Sequence, residues 1–68
     1  MNEREYIIDL FEIYKELFTE KQINYFKDYY FEDLSLSEIA ENNSVSKSII
    51  SKTIIQIENK LKEYEKLL

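Results

Sequence analysis

The chain contains no cysteine, histidine, glycine, proline or tryptophan. Without cysteine or histidine there is no disulfide, no thiolate or imidazole metal ligand, no Ser-His-Asp triad and no Cys-His pair. Without glycine there is no phosphate-cradling loop of the P-loop or dinucleotide kind. The missing prolines and glycines also remove the turn chemistry of β-hairpins, which favours an all-helical chain. A reaction would have to run on carboxylates, tyrosines and lysines alone, so the expectation is a non-enzymatic protein with no cofactor and no metal. Long hydrophobic runs are missing too. Tyrosine aside, no apolar run exceeds two residues, so nothing is expected to span a membrane. No signal peptide precedes the first charged helix, and cytoplasmic residence is expected. Asn42-Asn43-Ser44 matches a glycosylation acceptor, a match that a cysteine-free chain without an export signal makes incidental.

What is present is 68 residues with a net charge of −5. A single domain this small seldom buries enough surface for more than ~3–5 kcal/mol of stability. The charge is unevenly placed. Residues 1–42 hold four bases and eleven acids, whereas residues 43–68 hold five bases and three acids. Non-specific affinity for nucleic acid comes from neutralising phosphates, so any such binding falls to the C-terminal part.

The most informative stretch is 33–57, DLSLSEIAENNSVSKSIISKTIIQI. Ser35-Leu36-Ser37-Glu38 is an S-x-x-E capping box that opens a short helix. Asn42-Asn43-Ser44 ends it by side-chain competition for the backbone, and Ser46 caps a second helix with Ile49, Ile50 and Ile54 behind it. In a helix-turn-helix one first-helix position must be small where the helices cross. The turn four residues later favours positive φ, and an apolar plug follows six further on. Ala40, the chain's only alanine, Ser44 and Ile50 occupy those positions. A serine in the left-handed region costs ~1 kcal/mol, and Asn43 is the alternative carrier of that conformation.

The expected domain is therefore an all-α fold of about four helices, near 2–18, 19–30, 35–42 and 46–67, containing a helix-turn-helix. Asn2-x-x-Glu5 opens the first helix, whose apolar stripe is Tyr6, Ile7, Leu10, Phe11, Tyr14, Leu17 and Phe18. Glu5, Asp9, Glu12 and Glu16 form an acidic ridge opposite, read either as a solvated face or as a docking surface for a basic protein. Thr19-x-x-Gln22 caps the second helix, with Ile23, Phe26 and Tyr30 inward and Tyr25 pointing nearly away. Glu32 and Asp33 are too few oxygen ligands for a metal. In the last helix Ile50, Ile54, Ile57, Leu61, Tyr64 and Leu68 repeat every 3.5 residues, a coiled-coil seam. That seam either folds back over the first helix or pairs with a second copy as a homodimer.

On the far side of that helix lie Ser48, Ser51, Lys52, Ile55, Asn59 and Lys62, with Lys47 at the flank and no acid among them. In a nucleic-acid-binding helix-turn-helix, Ser48, Ser51 and Lys52 would face base edges, Lys47 and Lys62 phosphates, and Ile55 a thymine methyl. An exposed Ile55 suits a protein contact equally well.

The leading FEIY, LFTEKQ, the YY before the acidic link, DLSLSEIAE, VS-K-S-II and IENKLKEYE, in that order and spacing, resemble the YlxM-like proteins, small bacterial helix-turn-helix proteins. The resemblance covers nearly the whole chain. It implies a fold similar to region 4 of sigma-70-type factors and a regulatory link to the signal recognition particle, with the particle's RNA or its GTPase as partner. It also makes this chain look shorter than the family in its C-terminal helical tail. Ile55 and Gln56 stand where the family is expected to carry basic residues. A DNA-binding regulator resembling sigma region 4, and a pure protein-interaction module, remain the alternatives.

Overall fold

A computed structural model describes residues 2–67. Four α-helices make up the fold: α1 (Glu3–Tyr14), α2 (Glu20–Tyr30), α3 (Leu36–Asn42) and α4 (Lys47–Lys66), with a 3₁₀ turn at Lys15–Leu17 after α1. No strand occurs among the described residues. The first helix stops four residues before the expected end at 18, because Tyr14 leaves the helical region and Phe18 is extended. That break swings Phe18 into the core while Leu17, expected in the buried stripe, stays 62% exposed.

Polar side chains set each start. Thr19 and Ser35 form complete capping boxes with Gln22 and Glu38. Asn2 accepts from the Glu5 amide at 2.8 Å with no return bond from the Glu5 side chain, and Ser46 accepts from the Ile49 amide at 3.2 Å. Each such cap satisfies a donor that the first helical turn leaves free.

The helix-turn-helix is α3 and α4. Its turn is a Schellman closure: Val45 N–H donates to the Ala40 carbonyl at 3.0 Å and Ser44 N–H to Glu41 at 3.3 Å. Ser44 carries the left-handed conformation, with φ 55°, and Asn43 does not, at φ −108°. Asn43 contributes instead through its side-chain amide, which donates to the Ile39 carbonyl at 2.7 Å. Asp33 has the same φ of 55° in the α2–α3 link, a second left-handed residue that the spacing did not single out. The lone arginine pins that link. Arg4 donates to the Tyr30 carbonyl at 2.5 Å and to Asp33 at 2.8 Å, and its guanidinium lies 5.0 Å from the Tyr30 ring centre.

The core gathers Ile7, Leu10, Phe11, Phe18, Tyr25, Phe26, Tyr30, Ile39, Ala40, Ile50, Ile54, Ile57 and Leu61. Phe11 stacks on Phe26 with ring centres 3.9 Å apart, and Phe26 on Tyr30 at 4.4 Å, which welds α1 to α2. Tyr25 is only 3% exposed, contrary to its expected outward direction. The beginning of α4 crosses α2 there and covers a flank that a lone amphipathic α2 would leave in water. Ile23, expected inward, is half-buried.

The second half of α4 covers α1. Tyr64 packs between Tyr14 and Phe18, at 5.5 and 6.0 Å, and its neighbours tie across: Lys62 to Glu3 at 2.9 Å, and the Tyr6 hydroxyl to Glu65. The seam residues Ile50, Ile54, Ile57 and Leu61 are thereby buried within the chain. Leu68, the last position of that seam, lies outside the described residues. Among the described residues no helix is long and apolar enough to cross a membrane, and no cluster of three or more acids could hold a metal.

Candidate functional site

The outward face of α4 is set by its inward one. Ile50, Ile54, Ile57 and Leu61 are at most 4% exposed, and they hold the helix in one rotation. At 100° per residue, that rotation turns Ser48, Lys52, Ile55 and Asn59 to solvent. Lys47, Ser48 and Lys52 are exposed, and Ile55 is 51% exposed. Ser51 sits half-buried at the edge of the face. Lys62 stands apart from the other five candidates, since its ammonium is held by Glu3 of α1 at 2.9 Å. That hydrogen bond and the Glu3 charge raise the Lys62 pKa above its ordinary value. A phosphate would therefore compete with a carboxylate for it.

Lys47, Lys52, Lys60 and Lys66 are exposed and take part in no ion pair among the described residues. Lys60 and Lys66 had no place in the face read from spacing alone. Ile49 had no place in that face either, and it is 50% exposed, one step around the helix from Ile50. Its neighbour Gln56 is exposed as well. A wheel centred on Ile54 would have flagged both, since each lies well off the seam.

Ile49 also borders a hollow of about 360 Å³ where α2 meets α4, lined by Thr19, Lys21, Gln22, Tyr25, Val45, Thr53 and Gln56 besides. A second hollow of about 380 Å³ lies between α1, α2 and α4 around Arg4, Tyr30 and Glu58. There the Tyr30 hydroxyl donates to Glu58, and burial together with that bond pushes the phenol well above its usual pKa. Arg4 is already committed to Tyr30 and Asp33, so this hollow is a structural junction. Both hollows border α4 and offer surfaces for binding.

The family model described as "Putative helix-turn-helix protein, YlxM / p13 like" matches residues 1–68. A "UPF0122 protein" of Ureaplasma urealyticum serovar 10 is 49% identical over 67 residues, covering 98% of this chain and 68% of its own length. Relatives of the same description from Shouchella clausii and Bacillus cereus are 48% and 46% identical, each over 87% of this chain and 54% of their own length. The chain thus spans about two thirds of the first relative and about half of the other two. No solved structure matches the sequence significantly.

Proposed function

Because this chain belongs to the family of YlxM / p13-like helix-turn-helix proteins, we propose that it is a non-enzymatic regulator in the signal recognition particle pathway. It works in the cytoplasm and docks on the particle's RNA or its GTPase through the outer face of α4. The observation that carries this reading is the contrast in charge. In a chain of net charge −5, α4 exposes Lys47 and Lys52 beside Ser48 and Ser51, with no carboxylate pairing either lysine among the described residues. The family description names a helix-turn-helix and no reaction, which accords with a binding role.

The test is titration of the particle RNA and, separately, of the GTPase over a range of salt. If RNA is the partner and Lys62 stays on Glu3, two lysines release counterions, and log K against log salt should slope near −2. Changing Lys47 and Lys52 together to Glu should abolish binding while the helical circular dichroism stays unchanged. Binding that survives the double change removes this face from the reading.

A DNA-binding regulator similar to sigma region 4 is favoured by one feature, the half-exposed Ile55 beside Ser48 and Lys52. A branched apolar side chain there suits a thymine methyl. Replacing thymine by uracil throughout a bound duplex separates the two, since a methyl contact would be lost and an RNA contact has none to lose. Along α1 and the 3₁₀ turn after it, Glu12 pairs with Lys15 at 3.5 Å, whereas Glu5, Asp9 and Glu16 are exposed without an ion pair among the described residues. Nothing in that ridge favours a protein partner over solvent.

A further inference from the structure

We propose that the hollow between α2 and α4 is a docking groove for an acidic peptide segment of a partner protein, which inserts a large apolar side chain beside Ile49. At about 360 Å³ it lies at the small end of ligand-sized hollows, which run from ~300 to 1,000 Å³. Its walls look mixed by residue type, but the hydroxyls of Thr19 and Thr53 and the side-chain oxygen of Gln22 are engaged. The Gln22 side-chain oxygen accepts from the Thr19 amide at 2.9 Å, and the Thr19 hydroxyl accepts from the Gln22 amide at 3.1 Å. The Thr53 hydroxyl donates to the Ile49 carbonyl at 2.8 Å. What these side chains turn toward the groove is therefore chiefly methyl and methylene, continuous with Val45, Ile49 and the Tyr25 ring.

Donors are left over, among them the side-chain amide nitrogens of Gln22 and Gln56. The Tyr25 hydroxyl and the Lys21 ammonium have no hydrogen-bond partner among the described residues, and both residues line the groove. No carboxylate lines it, in a chain with fourteen acids. An occupant must therefore be apolar at its centre and supply acceptors, best a carboxylate, at its edge. A peptide with one large apolar residue flanked by Asp or Glu meets both demands. A nucleic acid meets them poorly, because a single lysine at the rim holds few phosphates. A basic segment would face Lys21 as a like charge. The groove meets the outer face of α4 only at Ile49 and Gln56, so this inference stands whatever that outer face binds.

The experiment is selection of a phage-displayed library of random peptides about 12 residues long, a length suited to one groove-bound segment. The target is the full chain, and each recovered peptide is then measured by fluorescence anisotropy against variants. Recovered peptides should be net acidic with at least one Leu, Ile, Phe or Met. Ile49→Ser should weaken them at least about tenfold, and Lys21→Glu and Tyr25→Phe by about fivefold each, the size of one hydrogen bond or rim charge. Ile55→Ser, on the outer face, should leave them unchanged. Ile49 and Lys21 are exposed enough for their variants to fold, which helical circular dichroism checks. The proposal is overturned if no peptide depends on Ile49, if the recovered set is basic, if duplex nucleic acid displaces the peptides from wild type but not from Ile49→Ser, or if the groove is closed by self-association that Ile49→Ser disperses.

Discussion

Ile49 and Ile50 are neighbours in the chain, as are Ile54 and Ile55, and the two pairs show how α4 is used. Ile50 and Ile54 are 0% and 4% exposed, whereas Ile49 and Ile55 are 50% and 51% exposed. The residue type is the same and the helix is the same, but one isoleucine of each pair touches the core and the other looks outward. The inner row explains why the domain folds. The outer pair belongs to two surfaces with different chemistry, Ile55 beside Ser48 and Lys52, Ile49 over the groove with Tyr25 and Val45. In a helix with six aliphatic residues among its 20, rotation about the axis separates structure from surface.

The sharpest way to break the comparison is to remove the same atoms from each row. Ile57→Ala, at a fully buried position, should cost ~2–5 kcal/mol, as large as the ~3–5 kcal/mol expected for the whole domain. Ile55→Ala should stay within about 0.5 kcal/mol. Urea unfolding followed by circular dichroism reads both, and equal losses would mean that α4 is rotated differently in solution. Next in size is Ala40→Leu, which drives a larger side chain into the α3–α4 crossing. Overpacking of a tight core position typically costs ~1–3 kcal/mol, and a harmless result would dissolve the crossing itself.

A smaller effect of opposite sign is expected at the turn. Ser44→Gly relieves a β-carbon at φ 55°, offset by the extra freedom of the unfolded glycine, for a net gain of up to ~1 kcal/mol. Asn43→Gly should show no such gain, since Asn43 has an ordinary negative φ and its amide bond to Ile39 would be lost.

The smallest effect concerns acid. The Ser35 amide and hydroxyl, bonded to Glu38, hold that carboxyl below its ordinary value of 4.5. A group with a depressed folded pKa adds stability that is present above the unfolded value and fades as pH falls through the folded one. Thermal unfolding should therefore show a shallow loss of stability below about pH 4.5 that Glu38→Gln removes. An unchanged acid limb in that variant would assign the loss to other carboxylates.

Much of the domain was legible in one dimension because its signals are local. A cap needs only the few residues after it, so Thr19, Ser35 and Ser46 marked three helix starts to within a residue. The helix-turn-helix was legible for the same reason, since Ala40, Ser44 and Ile50 sit at fixed steps along a short stretch. The candidate face was half legible. Period told which side of α4 Lys52 and Ile55 occupy, yet it could not show that Glu3, 59 residues away in sequence, holds Lys62. The same blindness misplaced Tyr25, whose surroundings come from another helix, while Leu17 was turned out by the break at Tyr14.

The amino-acid order by itself determined an all-helical chain free of disulfides and histidine-based sites. It also determined where its helices begin, and that two of them meet at a methyl-sized residue. Those outcomes follow from backbone hydrogen bonding and side-chain size within one or two turns. Only the tertiary structure decided that α4 lies over α1, that Tyr25 is buried, that Lys62 is engaged and that Ile49 opens a groove. Each of those depends on which distant surface arrives to exclude water, and that is a property of the packed helices together.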